Sequence, residues 1–516
     1  MFNPYRFFST AIFSMGLALG LGHFSAAIAQ IDPPPDRLPP GLEDVTQPDP
    51  VEILPVVPGG PSPVIPPTFT GDPNPIIEQI ENHQSDPYSD YLGITFYGEL
   101  ANADLISQTL KKLGNKTGTN PALVYVLSTS KGLKLVLLLP EGAVDPLRSH
   151  LPFLPNGIKI ASLHLWPGLA QAPSPPSPLR SFAVPNVSRD EIRRVTKTFR
   201  TEVSDPSKVE TNSYQPSAKQ LYDWMIAPLK PSLDANKIDT LIFSLDKGFR
   251  SMPIAALFDG QQFLVEQYNL ALIPSFSLTD TRYQDIRGSK MLGMGITQSA
   301  GGLTPLPGVS VEVPTLTNRI WQGQGYLDGQ VTLDQFKALT RREQFSIVHL
   351  ATHAEFNPGN VNQSFIQFWD GRLTLPQLRK VALSQQWSNA PTLEMLVLSA
   401  CQTALGNEKA ELGFTGLAVQ TGVKTAIGSL WSVNDAGTLG VMSEFYQQLK
   451  TASTRAAALR AAQVGLLRRQ VKLADGKLQL TDGAQVDLPP AIAQQPALDL
   501  SHPYYWAAYT VVGNWN

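Results

Sequence analysis

Short runs of consecutive apolar residues alternate along this chain with segments of helical spacing, and this alternation restricts the fold more than any other feature. The apolar runs predict strands at Thr240–Leu245, Lys290–Ile296, Phe345–Leu350, Leu393–Leu398 and Val423–Leu430. Strands without a polar face must be covered on both sides, which is typical of parallel sheets. The sequence therefore predicts an α/β fold with a mostly parallel central sheet and helices on both of its faces.

The N-terminus has the composition of an export signal. Arg6 is the only charged residue before Asp32, an apolar stretch follows it, and small residues lead to Ala29. This order predicts a signal peptide over residues 1–29, cleaved near Ala29, and export to the periplasm or the medium. An uncleaved membrane anchor is the alternative, although the apolar stretch is shorter than the ~20 residues of a spanning helix.

A proline-rich segment separates this signal from the rest of the chain. Between Ile31 and Pro75, 15 of 45 residues are prolines, and such a composition predicts a semi-rigid linker over residues 30–75. Beyond the linker, residues 123–127 and 133–139 have the pattern of a β-hairpin. A second proline-rich segment, residues 172–185, is interpreted as a loop.

Charge and glycine spacing exclude several classes of function. The net charge is −3 and Lys and Arg are not clustered, so nucleic acid is not an expected partner. Gly293, Gly295, Gly301 and Gly302 follow a predicted strand. Their spacing is not G-x-G-x-x-G and no P-loop lysine accompanies them, which disfavours a nucleotide-binding protein.

The only cysteine, Cys401, and a histidine about 50 residues before it, His353, each follow an apolar strand. Carboxyl ends of adjacent parallel strands meet at one edge of a sheet, so we expect the two side chains to lie close together. An imidazole can take the proton of a thiol and so produce a nucleophile at neutral pH. The backbone N–H groups of Cys401 and Ala354 are the candidate oxyanion donors. The alternative is an inert buried cysteine and a structural histidine.

A metal site is a further alternative for the same region. His349 and His353 are four residues apart, like the ends of the zinc motif H-E-x-x-H. Leu350 stands where that motif has glutamate, and the segment has the pattern of a strand and a loop, not of a helix. We therefore expect neither a metal nor a cofactor.

Several segments in a fixed order resemble the CHAT family, a bacterial branch of the caspase and separase class of cysteine peptidases. They are Leu241–Leu257, Gln262–Asp280, Pro305–Glu312, the surroundings of His353 and of Cys401, Gly413–Asp435 and His502–Trp515. The resemblance implies a caspase-like protease domain over residues 185–516, with residues 76–184 as its N-terminal part and a possible pseudo-half. It also implies that Cys401 is the nucleophile and His353 the general base.

Two positions affect whether the family's active-site geometry and its substrate specificity apply to this chain. The residue after the catalytic histidine is usually glycine, and here it is Ala354, which would be strained at positive φ. Relatives that cleave after basic residues have an acid in the substrate pocket, and Asp435 is the candidate for it. A helix N-cap is the favoured alternative for Asp435, and Glu355 and Glu411 are interpreted as solvated loop acids.

These features give two hypotheses of function. The first is an exported cysteine endopeptidase that hydrolyses a specific protein or peptide substrate with the Cys401–His353 dyad. The second is a catalytically silent caspase-like module that binds a protein partner. Neither involves nucleic acid, and neither involves a membrane beyond an uncleaved N-terminal anchor.

Overall fold

The computed structural model describes residues 72–92, 100–129, 132–144, 177–184, 187–357, 359, 361–389, 393–403, 407–494 and 498–516, with the backbone alone at 401–403 and 408. The predicted signal peptide and the predicted linker up to residue 71 lie outside these residues. All described residues belong to one compact unit. No helix among them is long and apolar enough to cross a bilayer.

Helices and strands alternate through most of the described chain. The helices are α1 (Asn74–Leu92), α2 (Ala103–Thr117), α3 (Arg189–Ser204), α4 (Gln215–Met225), α5 (Lys230–Ala235), α6 (Leu264–Gln267), α7 (Val309–Thr315), α8 (Leu333–Arg342), α9 (Leu375–Ser384), α10 (Glu408–Thr415), α11 (Leu417–Thr421), α12 (Asp435–Leu449), α13 (Arg455–Leu467), α14 (Pro490–Ala493) and α15 (Pro503–Trp506). The strands are β1 (Pro121–Thr129), β2 (Gly132–Leu138), β3 (Leu179–Val184), β4 (Thr240–Leu245), β5 (Asn269–Ile273), β6 (Met291–Gly295), β7 (Gly323–Leu327), β8 (Ile347–Phe356), β9 (Phe365–Phe368), β10 (Gly371–Thr374), β11 (Met395–Thr403), β12 (Thr425–Ser429), β13 (Lys472–Ala474), β14 (Lys477–Gln479), β15 (Gln485–Asp487) and β16 (Tyr509–Gly513).

One large sheet contains all of these strands except β13–β15, which form a small separate sheet. Its order is β10-β9-β8-β11-β12-β16-β5-β4-β1-β2-β3, and β6 and β7 extend it beside the first part of β8. The strands β1, β4, β5 and β16 are parallel to one another, and so are β7, β6, β8, β11 and β12. The two groups meet at β12 and β16, which are antiparallel. The carboxyl ends of the two groups therefore lie at opposite edges of the sheet.

The central strands are covered on both faces. Every residue of β4, β5, β6, β12 and β16 is buried. Because successive side chains of a strand point to opposite faces, burial of all of them requires a layer on each side. Helices supply these layers, with α2 against β1, α13 against β5, α10 against β8 and α12 against β11. The predicted α/β class, with a mostly parallel sheet flanked by helices, is confirmed.

The strands before residue 185 join the same sheet as the later ones. The β1–β2 hairpin is formed as the sequence predicts, and β1 also pairs in parallel with β4. The interpretation of residues 172–185 as a loop is wrong for its last part, since β3 pairs with β2 over six residues. Pro178 directly precedes β3, and the six residues of the strand include no proline, so the strand keeps all of its backbone N–H donors.

Helix α1 attaches to the body through buried polar contacts. The carboxylate of Glu81 accepts hydrogen bonds from the Tyr125 hydroxyl at 2.6 Å and from the Phe276 N–H at 3.0 Å. Burial raises the pKa of Glu81, while these hydrogen bonds lower it. About two helical turns further on, the Tyr88 hydroxyl lies 2.8 Å from that of Thr415, on α10. The helix that follows the predicted linker thus contacts the helix that follows the Cys401 segment.

A buried ionic cluster fixes the amino ends of β11 and β12. Glu394 directly precedes β11, and its carboxylate lies 2.6 Å from Lys424 Nζ and 3.0 Å from Arg455 Nη2. All three side chains are buried. Since Lys424 precedes β12 and Arg455 begins α13, the cluster ties two strands of the central sheet to a covering helix.

Candidate active site

His353 and Cys401 lie on adjacent parallel strands, one residue out of register. Up to Leu398, β11 pairs regularly with β8, and beyond it β8 contains one extra residue. As a result His353 pairs with Ala400, and Cys401 pairs with Ala354. Standard spacings between strands and between residues place the two Cα atoms about 6 Å apart. The structure therefore brings together the backbone of the two residues that the sequence singled out.

Both strands are longer than the sequence indicates. The prediction that His353 and Cys401 follow their strands is wrong, because β8 extends to Phe356 and β11 to Thr403. The reason is the β9–β10 hairpin, whose first strand pairs with β8 at Ala354 and Glu355. Where β6 ends, this hairpin becomes the neighbour of β8. It therefore extends the sheet beyond the apolar run that the sequence shows.

The imidazole of His353 is held by a backbone carbonyl. Its Nε2 lies 2.9 Å from the carbonyl oxygen of Thr304, in the β6–α7 loop, which comprises residues 297–308. Because a carbonyl oxygen only accepts, Nε2 carries the proton in this hydrogen bond. The other nitrogen, Nδ1, is then the one able to take a proton from a thiol.

Ala354 lies in extended backbone within β8 and is absent from the residues with positive φ. Any residue adopts this conformation, so alanine here is not strained and its N–H is retained. The departure from the usual glycine therefore has no steric consequence in this chain.

The end of β11 has a strand on one side only. Its pairing with β12 stops at Leu398, opposite Gly428, whereas its pairing with β8 continues to Thr403. Backbone groups of residues 399–403 on the β12 side are thus released from the ladder. The assignment of the Cys401 and Ala354 N–H groups as oxyanion donors stays a prediction. Cys401 lies in this one-sided part of β11, whereas Ala354 has β11 on one side and β9 on the other.

Asp435 is not the N-cap of its helix, and that interpretation is wrong by one position. Asn434 is the cap, and its side chain accepts a hydrogen bond from the Ala436 N–H. The Asp435 carboxylate instead accepts the backbone N–H of Gly308, at the end of the β6–α7 loop. The pKa of Asp435 is raised to about 6, because burial raises it most and the nearby Glu312 also raises it, while the Gly308 N–H lowers it. In the described part of the chain, no basic side chain pairs with this carboxylate.

His349 is part of the core between α7 and α12. Its Nε2 lies 2.9 Å from a carboxylate oxygen of Glu312, on α7, and its Nδ1 lies 3.2 Å from the Tyr446 hydroxyl, on α12. All three side chains are fully buried. With both nitrogens engaged, His349 holds the two helices whose first turns bring Gly308 and Asp435 together.

Comparison with protein families matches residues 215–514, more than half of the chain, to the CHAT domain. The chain belongs to the CHAT family. No curated protein sequence matches it. The match begins at α4 and contains β8, β11 and the Asp435 turn, so both dyad positions lie within the CHAT domain.

Solved structures with some likeness to this CHAT protein share little sequence with it. The separase–securin complex of Saccharomyces cerevisiae is 8% identical, with a TM-score of 0.43 over 85% of this chain and 33% of that one. The complex of the pro- and mature domains of Porphyromonas gingivalis RgpB is 10% identical, with a TM-score of 0.32 over 63% of this chain and 76% of that one. The CHAT protein thus spans about a third of the separase chain that it matches.

Glu355 and Glu411 have different surroundings in the CHAT domain. Glu355 is partly buried on β8, two residues after His353, with the side-chain amide of Asn357 at 3.3 Å. The interpretation of Glu411 as a solvated loop acid is wrong. It is fully buried on α10, where its carboxylate lies 3.0 Å from Arg200 Nη1 and accepts the Ser251 hydroxyl. Glu411 therefore anchors the helix that follows the Cys401 segment.

Sequence reasoning missed the partner of His353. The hydrogen bond goes to the main chain of Thr304, and a carbonyl leaves no mark on residue type. The only indirect signal is Pro305, since the residue before proline is restricted to extended conformations and its carbonyl direction is fixed.

Proposed function

We propose that this CHAT protein is a cysteine endopeptidase that acts on a protein substrate after export, with Cys401 as the nucleophile and His353 as the general base. The observation that carries the proposal is the position of His353. Its Cα lies about 6 Å from that of Cys401 on the neighbouring strand, beyond the irregularity that the extra residue of β8 introduces, and a fixed carbonyl binds its Nε2. This hydrogen bond leaves Nδ1 as the nitrogen that can take a proton.

The proposed reaction follows the chemistry of a thiol–imidazole pair. The Cys401 thiol transfers its proton to Nδ1 of His353, and the thiolate attacks the peptide carbonyl. The N–H groups of Cys401 and Ala354 stabilise the negative oxygen of the tetrahedral intermediate. His353 then protonates the leaving amine, and water, deprotonated by the same imidazole, hydrolyses the thioester.

Asp435 supports a preference for lysine or arginine before the cleaved bond. Its carboxylate is partly buried, lies near the buried Glu312, and has no cationic partner among the described residues. A carboxylate in such surroundings favours a cation from outside the chain, because the cation relieves the repulsion and recovers part of the lost solvation. We therefore propose that Asp435 binds the basic side chain of the substrate.

A peptide library tests the proposal directly. The purified full-length protein is expected to cleave peptides after lysine or arginine, and iodoacetamide is expected to stop this cleavage while adding one label, at Cys401. The chain has a single cysteine, so the label needs no further assignment. Cleavage that survives complete labelling would contradict the cysteine mechanism. A folded protein that cleaves neither peptides nor candidate proteins would instead be the silent binding module.

Replacing Asp435 with asparagine is expected to remove the preference for basic residues. The loss of one partner from a partly buried charge pair costs about 2–5 kcal/mol, so kcat/KM for an arginine substrate should fall about 30-fold or more. A matched substrate with norleucine in place of arginine should be cleaved equally by both proteins. An unchanged ratio of the two rates would show that Asp435 does not contact the substrate.

The same ratio has an expected pH dependence. The pKa of Asp435 is about 6, so its carboxyl group is charged above that pH and neutral below it. In the wild-type protein the preference for arginine over norleucine should rise as the pH increases through 6. Any pH dependence of the shared catalytic step affects both substrates alike and cancels in the ratio. In the Asp435→Asn variant the ratio should be independent of pH.

A further inference from the structure

The β6–α7 loop holds the Thr304 carbonyl against His353. Its base, formed by Thr297 and Leu306, is closed by a hydrogen bond. The Leu306 N–H donates to the Thr297 carbonyl oxygen at 3.0 Å, which brings the two ends of the protruding segment together. Pro305 restricts Thr304 to extended conformations, and so it fixes the direction of the carbonyl that accepts from His353. The position of this carbonyl therefore depends on where the base of the loop is held.

Asp328 holds that base. It directly follows β7, while Thr297 lies two residues after β6, the strand that pairs with β7 up to Gly295 and Leu327. The Asp328 carboxylate accepts the Thr297 N–H at 2.7 Å and the Thr297 hydroxyl at 2.8 Å. It also accepts the Gln298 N–H at 3.3 Å. One carboxylate thus binds the first two residues of the loop.

The backbone of Asp328 is in an unfavourable conformation. Its φ is 50°, a left-handed value that is uncommon outside glycine and that aspartate and asparagine tolerate best. Such conformations persist where surrounding contacts enforce them. Here the enforcing contacts are the hydrogen bonds that Asp328 itself accepts from Thr297 and Gln298.

Contacts elsewhere along the loop restrict how it could adjust if the Asp328 contacts were lost. Gly301 packs on the buried Gln367 of β9, and a Cβ atom at Gly301 would lie 2.8 Å from its side-chain oxygen. At the far end, the Gly308 N–H is bound by Asp435. The loop is therefore fixed at its base by Asp328, on its side by Gln367 and at its end by Asp435.

We propose that Asp328 is a positioning residue of the dyad, which orients His353 through the β6–α7 loop without contacting the substrate. The proposal rests on the proposed function of His353 as the base for Cys401. The contacts that link Asp328 to His353 run from the Asp328 carboxylate to Thr297, from the Thr297 carbonyl to the Leu306 N–H, and from there along the backbone to the Thr304 carbonyl. Without the carboxylate, this carbonyl moves and no longer fixes the orientation of the His353 ring.

Kinetics of two variants test the proposal. Asp328→Ala is expected to lower kcat about 10- to 100-fold, as small misplacements of catalytic groups do, with little change in KM. Asp328→Asn keeps one acceptor oxygen and tolerates positive φ, so it should recover most of the lost rate. Thr297→Val, which removes only the hydroxyl donor, should give a smaller loss in kcat.

Labelling of Cys401 gives a readout that does not depend on hydrolysis. The rate of reaction with iodoacetamide follows the thiolate, and an unpaired thiol titrates near pH ~8.5. The wild-type rate should rise at a lower pH, because the imidazolium stabilises the thiolate. His353→Ala and Asp328→Ala should both move the profile toward that of an unpaired thiol, and Asp328→Asn should move it back.

Two control variants separate positioning from a general loss of structure. Asp259→Ala removes an aspartate that likewise accepts three hydrogen bonds, from Gln261, Gln262 and Gln267, in the turn before α6. Asp475→Ala places alanine at a φ of 53° in the small separate sheet. Both should keep the wild-type kcat and labelling profile.

A folded Asp328→Ala protein with the wild-type kcat and labelling profile would overturn the proposal, and so would an equal loss of kcat in Asp259→Ala. Labelling profiles that shift in a chain without hydrolytic activity would retain the positioning role and overturn the peptidase proposal. A wild-type profile that His353→Ala leaves unchanged would overturn the dyad, and the positioning role with it.

Discussion

Replacing Cys401 with alanine is expected to lower kcat for peptide hydrolysis by about 10⁴-fold or more, because no other thiol is available to form the acyl-enzyme. The residual rate should equal what substrate binding and the oxyanion donors provide alone. KM should change little, since alanine fits any space that cysteine occupies. Steady-state kinetics on the best library peptide measure both constants.

The His353→Ala variant should show a loss of similar size, and the double variant should be no worse than either single one. Groups that act as one unit give such non-additive losses, whereas two independent contributions would multiply. His83→Ala is the matched control, since His83 pairs with Asp246 at 3.4 Å, directly after β4 and thus at the opposite edge of the sheet. A multiplicative double variant, or an inactive His83→Ala protein, would contradict the assignment of the dyad.

The largest expected effect on stability comes from Glu394. Glu394→Ala would leave Lys424 and Arg455 buried without their shared carboxylate. Removing one partner of a buried ion pair costs about 3–5 kcal/mol, so the free energy of unfolding should fall by at least that amount. Urea unfolding followed by tryptophan fluorescence measures the change. Because Glu394 directly precedes β11, activity should be lost at lower urea concentrations as well.

A triple variant distinguishes desolvation of unpaired charges from loss of packing. Replacing Glu394, Lys424 and Arg455 together with methionine removes every charge and should recover most of the stability that Glu394→Ala loses. The exposed pair of Lys219 and Asp223, 2.7 Å apart, is the control, and Asp223→Ala should cost less than about 1 kcal/mol. A triple variant as unstable as Glu394→Ala would show that packing, not charge, dominates at this position.

The sequence predicts well those strands whose bounds depend only on a local run of apolar residues. Strand β4 has the predicted bounds, Thr240–Leu245, because a continuous apolar run is a local property. The proximity of β8 and β11 also follows from chain order, since parallel strands joined by one crossover are usually neighbours. His353 and Cys401 can therefore be selected from the sequence alone.

What the sequence does not predict depends on pairing between distant segments. The opposite direction of the two strand groups is decided at β12 and β16, and no residue type marks a parallel or an antiparallel neighbour. The extension of β8 past His353 depends on the β9–β10 hairpin. The buried state of Glu411 depends on Arg200, some 200 residues earlier, so its charge alone suggested a solvated position.

The place of β16 in the sheet has a consequence for the order of folding. This strand lies between β12 and β5 and joins its own group to the other through its pairing with β12, yet it follows all other strands of the sheet in the sequence. During synthesis, the two groups can each form, but they cannot join until residues 509–513 have emerged. Because pairings between distant segments form slowly, closure of the sheet should be a late step. The Cys401 strand therefore gains its complete support only when nearly all of the described chain is present.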